Sequence, residues 1–138
     1  MSRTYFTDRD LGKQFPAILR AAGLTVESHA DHFAPTASDE EWLALAGRRG
    51  WTAITHDARI RYKPNELAAV RRHRVALLVV VGTAPFPVLA RSFVATVPRI
   101  EAFLDRHAPP FIAKVYRDAP AAAGSELAPG DISLWYPR

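Results

Sequence analysis

Ser38-Asp39-Glu40-Glu41-Trp42-Leu43-Ala44-Leu45-Ala46-Gly47-Arg48-Arg49-Gly50-Trp51-Thr52-Ala53-Ile54-Thr55-His56-Asp57 is the stretch from which the architecture is read. Its first four residues match a capping box, in which the Ser38 hydroxyl accepts from the Glu41 amide and the Glu41 side chain reaches back. Trp42, Leu45 and Ala46 recur at helical spacing, and Gly50 ends the helix. Trp51–Thr55 then reads as a strand, stopped by His56-Asp57.

Working outward, the same alternation repeats. Upstream, Thr4–Thr7 is a short β-branched and aromatic run ending at Asp8. Leu11, Phe15, Ile18, Leu19 and Ala22 mark a helix that Gly23 can close, with Pro16 limiting how early it starts. Leu24–Ser28 is a second strand, and His29–Ala37 reads as a loop. Downstream, Asn65–Arg72 is a short helix. Val75–Val81 is the most apolar strand, as suits a central parallel strand covered on both faces. Leu89, Phe93, Val97, Ile100 and Leu104 mark a long helix, interrupted or kinked at Pro98, before a fifth strand at Phe111–Tyr116. The β-α-β-α-β-α-β-α-β order predicts an α/β fold with a mostly parallel five-stranded sheet and helices on both faces. Residues 1–118 form the expected domain. Residues 119–138 change to an Ala/Pro-rich composition and read as a flexible tail, whose apolar end Leu134-Trp135-Tyr136 can dock on the chain itself or on a partner.

A chain of 138 residues is one domain's worth, too short for a separate cofactor domain. It has no cysteine, which excludes disulfides, thiolate metal sites and a cysteine nucleophile, and suits a reducing cytoplasm. The N-terminus has no apolar signal region, and Val75–Val81 is far short of a membrane span, so no membrane association is expected. The net charge of +4 suits a polyanionic partner only weakly. Its placement says more: Arg48, Arg49, Arg59, Arg61, Lys63, Arg71, Arg72 and Arg74 cluster, opposed only by Asp57 and Glu66.

Ligands of open α/β sheets bind beyond the carboxyl ends of the strands. Asp8 follows the first strand, Asp57 follows the third, and Asp39 opens the helix between the second and third. Three carboxylates at one edge repel one another, and a hard divalent cation relieves this; Mg²⁺ favours a few carboxylates plus water. Such a site can activate water and stabilise charge on a phosphodiester. Each acid also has an ordinary reading, as a turn residue or a helix-dipole partner. Asp10 competes with Asp8 as a ligand but is expected at the helix start. Arg59, Arg61 and Lys63 leave the same edge, where cations can hold phosphates, or form a solvated basic face. His29 and His32 lie three apart but lack further ligands for zinc, and His56 reads as an exposed neighbour of Asp57.

The chain resembles the PIN-domain superfamily, and within it the compact PIN-like branch related to VapC-type toxin ribonucleases. The resemblance rests on Tyr5-Phe6-Thr7-Asp8-Arg9-Asp10-Leu11-Gly12 and on residues 38–57, with Asp39 opening a helix, small Ala46 within it and a strand ending Thr55-x-Asp57. Arg59–Glu66 and Pro110–Ile112 add to it, over roughly residues 3–118. It implies a three-layer α/β/α fold and metal-dependent cleavage of RNA. It assigns Asp8, Asp39 and Asp57 as catalytic, metal-holding acids and Thr55 as the hydroxyl that orders the site. It further implies Mg²⁺ or Mn²⁺ as cofactor, an antitoxin partner and a possible homodimer. The early-helix acid of larger PIN domains has no match, since Glu27 falls in a strand and Asp31 in a loop. Position 60 is isoleucine where a further acid is expected, and Glu66 is the residue that can compensate.

The leading expectation is a divalent-metal-dependent ribonuclease, with Arg59, Arg61 or Lys63 positioning the RNA backbone. A catalytically weak PIN-like module that binds RNA or a protein is the alternative. A phosphoacceptor receiver ranks third, because Arg59-Ile60-Arg61 does not suit its post-acceptor loop and Lys114 lies within a strand.

Overall fold

The computed structural model describes residues 3–117 and 128–137. Six strands are present: β1 Thr4–Thr7, β2 Thr25–Ser28, β3 Thr52–Thr55, β4 Ala76–Val80, β5 Phe111–Tyr116 and β6 Asp131–Tyr136. They form one sheet in the order β2-β1-β3-β4-β5-β6. The first five run parallel and β6 pairs antiparallel with β5. The helices are α1 Gln14–Ala21, α2 His29–His32, α3 Asp39–Arg49, α4 Pro64–Arg72 and α5 Phe86–Arg106.

The two-residue period of a strand sorts the core into two layers. Tyr5, Ile54 and Leu78 pack with Phe15 of α1 and Phe93 of α5 on one face. Their chain neighbours Phe6, Ala53 and Leu77 pack with Trp42 of α3 and Val70 of α4 on the other. Every residue of β3 is buried, as a strand covered on both sides requires. The result is the expected three-layer α/β/α arrangement.

α3 begins as its sequence dictates. The Ser38 amide donates to Glu41 Oε2 at 2.6 Å and the Glu41 amide to Ser38 Oγ at 3.4 Å. Gly50 closes the helix in the left-handed region at φ 69°, where a side chain would be strained. The long helix α5 runs through Pro98 without a break, so of the two effects expected of that proline, interruption or a kink, the interruption is absent. The expected loop at His29–Ala37 instead opens with α2, whose capping box joins Ser28 and Asp31. One turn of helix is too short to show apolar periodicity, so the cap was its one sequence signal.

The sheet has six strands where five are expected, and the sixth comes from the stretch read as tail. Ile132 packs against the α1/α5 layer, while Trp135 and Tyr136 pack against the α3/α4 layer. Apolar side chains of β6 thus reach both faces of the sheet at the outer edge of β5, with an irregular register opposite Ile112/Ala113. Just before it, the Gly130 amide donates to Thr96 Oγ1 at 2.9 Å, and Arg99 donates to the Gly130 carbonyl at 2.5 Å. Residues 118–127, which hold the rest of the expected flexible tail, lie outside the described residues. Among the described residues, no helix is long and apolar enough to cross a membrane.

Candidate functional site

β1 and β3 are parallel neighbours, so the chain leaves both at one edge of the sheet. Asp8 follows β1 and caps the 3-10 turn Arg9–Leu11, accepting from the Arg9 amide at 2.6 Å. That turn swings Asp10 back toward β3. Its carboxylate accepts from the His56 amide at 3.2 and 3.3 Å and lies 3.2 Å from Thr55 Oγ1. The buried Thr55 hydroxyl also lies 2.9 Å from Asp8 Oδ2 and accepts from the Asp57 amide at 3.2 Å. A hydroxyl carries one hydrogen, so Thr55 donates to one of the two acids at a time.

Asp39 sits in the first turn of α3, where it accepts from Trp42 Nε1 at 3.0 Å. Asp57 caps the 3-10 turn Ala58–Tyr62 and accepts from the Arg59 amide at 3.0 Å. Lys63 ends that turn. Its ammonium lies 2.7 Å from Asp57 Oδ2, 3.7 Å from Asp39 Oδ2 and 3.8 Å from Glu66 Oε2. Asp8, Asp10, Asp39 and Asp57 line one open pocket of ≈ 510 Å³, with Arg9, Arg59, His29 and His56 also on its wall.

Asp8 and Asp10 differ electrostatically from Asp57. Burial, reinforced by the Asp10 charge, pushes the Asp8 carboxyl up to about 7. Burial likewise raises Asp10, although the His56 amide and the Thr55 hydroxyl oppose the rise. For Asp57, partial burial would raise the carboxyl, but the hydrogen bonds from Lys63 and Arg59 outweigh it and hold the group below its usual range. Asp8 and Asp10 are therefore short of positive charge, while Asp57 already has it.

The donor set fits a hard divalent cation in kind, since all four acids offer carboxylate oxygen and two of them lack a counter-charge. The arrangement is less complete. Among the described residues, no group of three or more Asp, Glu or His side chains surrounds a common point that would hold a metal. Asp8 turns to Thr55, whereas Asp39 and Asp57 face Lys63. Bringing the acids onto one cation requires Lys63 to give way.

The remaining expected residues separate. Arg59 stays at the pocket rim, its side chain 84% exposed and its Nε 3.2 Å from Asp57 Oδ1. Arg61 points away, onto the rings of Tyr62, Trp135 and Tyr136. Lys63 faces the acids, its ammonium nearest Asp57. His56 is tied down more firmly than its expected exposed place suggests, with Nε2 2.6 Å from the Gly82 carbonyl and its ring edge-on to Phe86. His32 pairs with Glu27 at 2.7 Å, while His29 is buried. Asp10 is the residue that reading the chain undervalued. Its signal was the Asp8-x-Asp10 spacing off a strand end, which a single 3-10 turn folds onto one site.

The model of the PIN like domain matches residues 4–82. That span is more than half of the 138 residues and contains all four pocket aspartates. The chain belongs to the PIN-like domain family. PIN-like domains are in general nucleases, and PIN domains typically use divalent metals. In this PIN-like domain the matched span carries the acidic pocket, while α5, β5 and β6 lie beyond it. No curated protein and no solved structure matches the chain.

Proposed function

We propose that this PIN-like domain is a metal-dependent endoribonuclease acting at the Asp8/Asp10/Asp39/Asp57 pocket. The observation that carries the reading is the pair Asp8 and Asp10, one buried and one exposed carboxylate that meet at one hydroxyl and are short of positive charge. Mg²⁺ or Mn²⁺ bound there would supply activation of water and stabilisation of charge on the phosphodiester. The protein's own part is positional. Thr55 orients Asp8, the His56 amide orients Asp10, and Trp42 Nε1 orients Asp39. Arg59, exposed at the rim, faces the approaching backbone and can hold a phosphate oxygen. The resemblance of residues 38–57 to VapC-type toxins supports a toxin of a type II pair, held in check by a cognate antitoxin in the cytoplasm.

The test is cleavage of an end-labelled RNA mixture by purified protein in Mg²⁺, Mn²⁺ or EDTA, beside Asp57→Asn. Cleavage that needs both the metal and Asp57 is the expected outcome. Equal cleavage by Asp57→Asn removes the site assignment. One observation favours the second reading, a weak or inactive module that binds RNA: Lys63 already occupies the space among Asp39, Asp57 and Glu66. Metal-independent RNA binding, with no cleavage by folded protein in any metal, selects that reading.

A further inference from the structure

The 3-10 turn Ala58–Tyr62 begins at the acidic pocket and ends on a different surface. Arg59 lines the pocket, whereas the Arg61 guanidinium lies 5.2, 5.6 and 5.5 Å from the ring centroids of Tyr62, Trp135 and Tyr136. Tyr62 meets Trp135 edge-on at 5.8 Å, and Lys114 Nζ lies 4.0 Å from the centre of the Trp135 ring. Farther along, Ala68, Arg71, Arg72, Pro110, Tyr136 and Pro137 line a cleft between α4 and the end of β6. Arg61, Arg71, Arg72 and Lys114 form no ion pair among the described residues. The face therefore carries four cations with no carboxylate partner among the described residues, interleaved with aromatic rings.

A purely structural account covers part of this. Arg61 on Trp135 and Tyr136 helps fasten β6, and arginines in the last turn of α4 complement the helix dipole. Neither explains Tyr62, 67% exposed beside the arginine, nor the apolar-floored cleft flanked by Arg71 and Arg72. Unpaired cations with accessible aromatic faces are what single-stranded nucleic acid requires. Its backbone needs positive charge, and its unpaired bases need flat apolar partners. A duplex hides those faces inside its own stack. At ~2 Å per residue, the five-residue turn separates pocket and patch by only about 10 Å, so one strand can lie on both.

We infer that the α4–β6 face binds single-stranded nucleic acid and continues the substrate track away from the acidic pocket. Tyr62, Trp135 and Tyr136 receive bases, while Arg61, Arg71 and Arg72 receive phosphates. This deepens the nuclease reading and rests on it for the link to cleavage. Its aromatic wall is supplied by β6, which lies outside the span that matches the PIN like domain.

Fluorescence anisotropy of a labelled single-stranded RNA oligonucleotide, with full-length protein in EDTA, tests binding apart from cleavage. Single-stranded DNA and duplex RNA serve as competitors, and circular dichroism checks the fold of each variant. Arg61→Gln and the double variant Arg71→Gln/Arg72→Gln are each expected to weaken binding about tenfold. The slope of log affinity against log salt should flatten by ~0.7 for each phosphate that the variant no longer neutralises. Competition by single-stranded DNA shows that bases and phosphates suffice, whereas failure of DNA alone to compete assigns the face to RNA. Folded variants with unchanged affinity and salt slope overturn the inference, as does equal competition by duplex. If those variants instead lose capture by a protein partner, the face is a protein-docking surface and the inference is also overturned. Groove-dependent binding without cleavage in any metal removes the nuclease reading and keeps the groove. Metal-dependent cleavage with parental binding in both variants does the reverse.

Discussion

Thr55 Oγ1 and Asp8 Oδ2 lie 2.9 Å apart across two neighbouring parallel strands, both groups buried. This hydrogen bond joins the end of β3 to the end of β1 and supplies a buried carboxylate with the one side-chain donor it meets. The same hydroxyl lies 3.2 Å from Asp10 Oδ2 and accepts from the Asp57 amide at 3.2 Å, so one oxygen links three of the site's acidic residues.

Thr55→Val keeps the shape and deletes that donor. A buried acceptor left without its partner costs ~1–3 kcal/mol, so the variant is expected to be less stable by about 2 kcal/mol in urea unfolding at pH 8. The loss should shrink at pH 4, where Asp8 is protonated and its demand for a donor falls. An equal loss at both values would show that Thr55 acts by packing alone.

The Asp8 carboxyl makes the metal-free protein sensitive to pH. Its folded pKa of about 7 lies above the unfolded value of 3.8, so between those values the native state holds a proton that the unfolded state has released. Stability from this group is full below the lower value and declines as pH rises to the upper, by something on the order of 2–4 kcal/mol. Asp8→Asn is expected to flatten that slope. Denaturant midpoints measured across the window check it, and an unchanged slope would place the titration elsewhere.

Lys63→Met removes the ammonium seated on Asp57, leaving Asp39 and Glu66 without the cation they face and Asp57 with Arg59 alone. The metal-free variant should lose up to about 1 kcal/mol, because the pair is partly exposed and screened. Added Mg²⁺ or Mn²⁺ should then raise its melting temperature more than it raises that of the parent, by mass action on a site no longer occupied by lysine. Isothermal titration of metal into both proteins reads the same difference directly.

Gly47→Ala pits two effects of opposite sign. Alanine in a helix interior gains ~1 kcal/mol over glycine. Here, however, the new Cβ would lie 2.2 Å from the His73 carbonyl oxygen, which is backbone after α4 and cannot rotate away. Overpacking costs ~1–3 kcal/mol, so net destabilisation with separation of α3 from α4 is expected. A raised melting temperature would show that α3 and α4 yield to the extra methyl without strain.

Much of this PIN-like domain was legible without its structure. The capping box at Ser38, the left-handed Gly50, the buried strands β3 and β4 and the alternation that stacks helices on both faces all depend on residues close in sequence. Local propensity and periodicity report such features directly. The chain order likewise sufficed to put Asp8, Asp39 and Asp57 at one sheet edge, because parallel strands all end on the same side. Other features depend on interactions between distant segments. β6 forms because Asp131–Tyr136 finds the open edge of β5 and an apolar surface on each side of it. Asp10 joins Asp8 only because Thr55 and the His56 amide wait on the neighbouring strand. Lys63 and Arg61, two residues apart, take opposite duties: one finds three carboxylates, the other three aromatic rings. Spacing brings a long cationic side chain to a region, but the choice of partner is a competition among groups within a few ångströms, and only the folded chain decides which groups those are.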